Sequence, residues 1–148
     1  MTAEEYYRTL SDQERVEKAE ALKLLEFYMR DHGLDGWKGE IPETVVHGLA
    51  AQSDEYMKVI RLSEWWACHV IPAKLRETIL HEIAHAVSGV FGHGKAWEAK
   101  ALELGVSSEH ILSVRRALDE VLAGPTEEDK ALWRALSEEE KERRRKMI

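Results

Sequence analysis

Apolar residues recur at helical spacing early in the chain, at Val16, Ala19, Leu22, Leu25 and Met29, and Gly33 ends the run. Ser11 followed by Glu14 has the form of a capping box, so the pattern predicts a helix over 11–32. Thr2 and Glu5 repeat that arrangement and predict a shorter helical turn over 2–10. From Trp37 to Ser63 the periodicity changes. Short β-branched and aromatic runs, interrupted by Gly, Pro, Asp and Ser, predict strands over 37–41, 44–51 and 56–62, with a hairpin turn at 52–55. The expectation is a small three-stranded antiparallel sheet covering one face of a core.

Helical spacing returns after Pro72, a residue suited to the first turn of a helix. Leu75, Ile79, Ile83, Ala86 and Val90 make one stripe, which predicts a helix from Ala73 to about Gly89. Gly89, Gly92 and Gly94 allow a sharp turn before a second helix over 95–104 that stops at Gly105. Ser107 or Ser108 caps a helix over 109–122, ending at Gly124 and Pro125, and Thr126 and Ser137 start shorter helical pieces. In the last piece Glu139/Arg143, Glu140/Arg144 and Glu142/Lys146 are acid-before-base pairs at i,i+4 spacing, as on a solvated helix. The fold class expected is α+β, with residues 1–105 as one domain and 106–148 as a helical C-terminal extension.

Composition narrows the chemistry. A chain of 148 residues with 44% hydrophobic residues is long enough for one core. Cys68 is the single cysteine, which excludes an intramolecular disulfide and any zinc finger or ribbon built on several thiolates. The first residues lack a basic start followed by an apolar run, and no stretch reaches membrane-spanning length, so an intracellular, cytoplasmic monomer without membrane contact is expected. A net charge of −7 argues against attraction of the whole surface to phosphate.

The candidate chemistry lies in His81-Glu82-Ile83-Ala84-His85, an HExxH sequence. Spacing of i,i+4 on a helix puts both imidazoles on one face, where one Zn²⁺ fits between them. A catalytic zinc takes a third protein ligand and a water. Glu82, about 100° around the helix from His81, then serves as general base towards that water. For the third ligand the best candidate is His93, between Gly92 and Gly94, and Glu98 of the following helix is the alternative. The metzincin spacing does not fit, because its glycine and third histidine would fall at Ser88 and Phe91.

Residues 78–86 (TILHEIAHA), Gly92-His93-Gly94-Lys95-Ala96-Trp97 and Leu104-Gly105 together resemble the SprT-like zinc metalloprotease domain, a family that includes Spartan-type enzymes degrading proteins crosslinked to DNA. Upstream, Val59-Ile60-Arg61-Leu62-Ser63 is similar to the last strand of that family, so the likeness runs from about Trp37 to Gly105. It implies a zincin-like fold, zinc held by His81, His85 and His93, Glu82 as the catalytic residue, and a polypeptide substrate lying beside a sheet edge. It also implies DNA-bound or DNA-crosslinked proteins as substrates. Two departures bear on DNA: the chain after Val106 has no cysteine for the family's zinc ribbon, and it is acidic and helical, with Arg143-Arg144-Arg145-Lys146 as its one basic run. Two other functional classes remain open, an adaptor module using zinc for structure and a metallohydrolase of a non-peptide bond.

Trp65, Trp66 and Arg61 are the candidate substrate-contacting residues, since two adjacent tryptophans in an extended stretch cannot both face inward. Trp97 reads as a core anchor. His69 and His47 are the other histidines considered near the site, whereas His32 and His110 fall at helix ends that caps or solvent explain. Cys68 reads as a small half-buried residue.

Overall fold

The computed structural model describes residues 1–45, 49–123, 127–136, 138, 139 and 142. Over these the chain is α+β, with seven helices and a three-stranded mixed sheet. His47, the expected caps at Thr126 and Ser137, and the basic run at 143–146 lie outside the described residues. Among the described residues no helix is long and apolar enough to cross a membrane.

Helix α1 (Ala3–Leu10) starts at the Thr2/Glu5 capping box expected from the sequence. Helix α2 (Lys18–Asp31) begins later than expected, because the box that forms is Glu17 with Glu20 rather than Ser11 with Glu14. Val16, buried just before that box, is drawn into the core by the entering chain. The face that α2 buries is Ala21, Leu24, Leu25, Tyr28 and Met29, so Ala19 stays exposed.

The sheet differs from the expected antiparallel arrangement. Strands β1 (Lys38–Glu40), β2 (Ala51–Asp54) and β3 (Val59–Leu62) lie in the order β1-β3-β2, with β1 parallel and β2 antiparallel to β3. The hairpin turn also falls three residues later than expected. Asp54 Oδ1 accepts the Met57 N–H at 3.0 Å and Lys58 adopts φ 55°, so residues 55–58 form the loop and Gln52-Ser53-Asp54 are strand. Residues 44, 45, 49 and 50 are not strand.

The short helix α3 (Glu64–Ala67), capped by Ser63, replaces the extended stretch expected around the paired tryptophans. Helix α4 (Pro72–Ser88) has proline in its first turn and ends at Gly89 with φ 69°, a left-handed cap that suits glycine. It buries Leu75, Ile79, Leu80, Ile83 and Ala84 against α1, α2 and the sheet. Helix α5 (Lys95–Leu104) matches the expected bounds and stops at Gly105. Helices α6 (Ser108–Ala123) and α7 (Glu127–Ala135) follow. Val106 and Ile111, leading into and within α6, belong to the same buried cluster as α1 to α5.

Candidate metal centre

Helix α4 presents His81, Glu82 and His85 towards a cleft of about 610 Å³, and the glycine-flanked turn after it returns His93 to the same place. The Nε2 atoms of His81 and His85 each lie 3.1 Å from His93 Nε2. A tetrahedral ion with imidazole bonds of about 2.05 Å separates its ligand nitrogens by roughly 3.3–3.4 Å, so this spacing suits a single ion. His81, His85 and His93 therefore lie close enough to hold one metal ion.

The proton inventory points the same way. His85 Nδ1 lies 2.7 Å from the Val90 carbonyl, an acceptor, so the ring proton sits on Nδ1 and Nε2 offers a lone pair to the cluster. Burial holds His81 down to about pKa 2, helped by His85, His110 and His93 beside it; His85 and His93 are also lowered, chiefly by burial. Three neutral imidazoles are the form that binds a cation, and converging lone pairs without one repel.

Trp97 forms the floor. It is fully buried, its ring centroid lies 4.6, 5.4 and 4.9 Å from those of His81, His85 and His93, and its indole N–H donates to the His81 carbonyl at 3.2 Å. The core-anchor expectation for this residue agrees with that burial, and the same contact orients α4 and α5 around the site.

Glu82 is 8% exposed. Burial pushes its carboxyl up to about 7, while the Ser53 hydroxyl, 2.7 Å from Oε2, pulls the other way. The same hydroxyl lies 2.8 Å from the Glu82 carbonyl, so β2 is pinned to α4 at this residue. The cleft is lined by Ala51, Gln52 and Ser53 of β2, an edge strand of the described sheet, and by His110, Val114 and Ala117 of α6.

Other candidates lie elsewhere. Glu98, the alternative third ligand, is held by both of its oxygens on Arg115 at 2.6 Å, outside the histidine cluster. Trp65 is 66% exposed on α3, Trp66 packs on the core, and Arg61 pairs with Glu40 and Asp54; none of the three lines the cleft. His69 bonds to the Trp65 carbonyl and His32 stacks on Tyr28. The residues that sequence reasoning missed are Ser53 and His110. His110 Nε2 lies 2.9 Å from His81 Nδ1, although the sequence places it only at a helix start. Nothing local marks Ser53; for His110 the one available hint was Glu77, four residues before His81 and on the same helix face.

Comparison with protein-family profiles, with curated proteins and with solved structures finds no match to this chain.

Proposed function

We propose that this chain is a zinc-dependent endopeptidase of SprT-like type, with His81, His85 and His93 as ligands and Glu82 as general base. The observation that carries this reading is the convergence of three Nε2 atoms in a cleft that also holds a buried carboxylate and is walled by a sheet edge. A zinc ion bound there supplies an acidified water and polarises the carbonyl of the bond to be cleaved.

The protein's own groups do the rest. Glu82 receives the proton, and a carboxyl lifted to about 7 by burial is well matched to that task at neutral pH. Ser53 fixes the carboxylate by donating to it, so the acceptor stays aimed while the cleft fills. The outer edge of β2, which no other described strand pairs, offers main-chain hydrogen bonds to an extended polypeptide, a mode of binding that tolerates many sequences. Apolar Leu49, Ala51, Phe91 and Val114 line the cleft, and its described lining holds no Lys or Arg, which favours a polypeptide over nucleic-acid phosphate as occupant. Proteins bound to DNA fall within this class if DNA contacts the chain outside the cleft.

The test is zinc content together with cleavage of casein and of DNA-bound histone by wild type and Glu82→Gln. Both proteins should hold one zinc per chain, and the variant should cleave at least about 100-fold more slowly. Equal cleavage removes Glu82 as the base. A zinc-loaded wild type that cleaves no protein substrate overturns the endopeptidase reading.

A further inference from the structure

His81 is engaged on both of its ring nitrogens. Nε2 faces the other two histidines, while Nδ1 meets His110 Nε2 at 2.9 Å. On the far side of the His110 ring, Nδ1 lies 3.4 Å from Glu77 Oε2, and both side chains are mostly buried, at 19% and 17% exposure. The other Glu77 oxygen accepts the Ser107 N–H at 3.0 Å, and Ser107 Oγ accepts the His110 N–H at 3.2 Å. Glu77 and His81 are four residues apart on α4, so one face of that helix carries both ends of the chain of contacts.

The two possible proton arrangements have opposite consequences. If His110 donated from Nε2, His81 would carry its own proton on Nε2, pointing into the cluster where a cation must sit. If His110 carries its proton on Nδ1, its Nε2 accepts from His81 Nδ1–H, and His81 Nε2 is left as a free lone pair. The Glu77 carboxylate decides between them. At 3.4 Å the contact is long for a hydrogen bond, yet a negative charge on that side favours the proton on the nearer nitrogen.

We infer that Glu77 and His110 are positioning residues for the metal centre: through His110 they set the tautomer and orientation of His81, and they make the start of α6 part of the metal site. The inference rests on the metal-binding reading of the three histidines. Coupling of this kind is reciprocal, so metal binding strengthens the docking of α6 by as much as α6 strengthens metal binding.

The experiment measures zinc affinity of the full chain by competition with a chromophoric chelator, for wild type, His110→Ala, His110→Gln and Glu77→Gln. Loss of an outer partner lowers metal affinity by about 10–100-fold, which is the expectation for His110→Ala. His110→Gln should recover most of that loss, since its amide oxygen can accept from His81 Nδ1–H as the imidazole does. Glu77→Gln, close in shape, should fall between them, and it carries the test if His110→Ala does not fold. Hydrogen exchange supplies a second readout: zinc should increase protection of the first turns of α6 in wild type and not in His110→Ala. Affinities within twofold of wild type in both His110→Ala and Glu77→Gln overturn the inference. So does a His110→Gln protein as weak as His110→Ala, which would mark a packing loss alone. A wild type that takes up no zinc overturns the metal-binding reading itself, a result distinct from either.

Discussion

A buried imidazole is useful to a cation only when its proton is held elsewhere, and His85 shows how one backbone acceptor achieves this, with the Val90 carbonyl 2.7 Å from Nδ1. His93 and Glu98 separate cleanly at this scale, one facing the other two histidines and the other bound by Arg115. His93→Ala should therefore weaken zinc binding by more than the about 10–100-fold expected for loss of an outer partner, whereas Glu98→Ala should leave zinc stoichiometry unchanged. Elemental analysis after dialysis distinguishes them, and zinc loss in Glu98→Ala alone would reverse the assignment. Trp97 lies beneath all three rings with no exposed surface. Trp97→Ala should cost about 3–5 kcal/mol in urea unfolding of the metal-stripped protein, from lost burial and the cavity left behind. Trp97→Phe keeps much of the volume but leaves the His81 carbonyl without its indole donor, so a cost of about 1–3 kcal/mol is expected.

Among the elements, α1 is tied down by charge as well as by Ala3 and Leu10 in the core. Glu4 meets Arg76 of α4 at 2.6 Å, and the Ala3 N–H donates to Asp31 at the end of α2 at 2.7 Å. Burial raises the Glu4 carboxyl, but hydrogen bonds from Arg76 and Tyr28 outweigh it and hold the group below the usual carboxylate value; the Ala3 N–H does the same for Asp31. A carboxyl whose pKa is lower in the fold than in the unfolded chain contributes stability at neutral pH, and that contribution is lost as pH falls through the folded value. Amides of α1 should thus lose hydrogen-exchange protection as pH falls below the ordinary carboxylate values of 4.5 and 3.8, while those of α4 keep theirs. Uniform loss across both helices would show that α1 has no separate acid-sensitive attachment. The elements also show where local patterns were sufficient. Helices α4 and α5 were legible almost to the residue, because Pro72, Gly89 and Gly105 act on their own backbone. The start of α2 was not, because two acid-containing boxes of equal spacing compete there and core burial of Val16 chooses between them.

At the scale of the molecule, α6 joins the rest through apolar as well as polar contacts. Val106 and Ile111 are buried with the residues of α1 to α5, and burial of each is worth about 1.5–3 kcal/mol. A chain ending at Gly105 should therefore lose about 3–6 kcal/mol, a large share of the stability of a domain this size, and zinc affinity should fall with it. Urea unfolding checks this, and a truncated chain as stable as the full one would show that α6 adds nothing to the core. The patterns that act over three or four residues, namely the capping boxes, the helical stripe around the HExxH sequence and the glycine stops, were readable from the amino-acid order, and with them two metal-ligand candidates on one helix face. The parallel pairing of β1 with β3, the bond from Ser53 to Glu82 and the contact of His110 with His81 join residues about 20 to 30 positions apart. Such contacts leave no periodic mark in the chain, because they arise only when elements pack and each buried polar atom must find whatever partner the packing brings near.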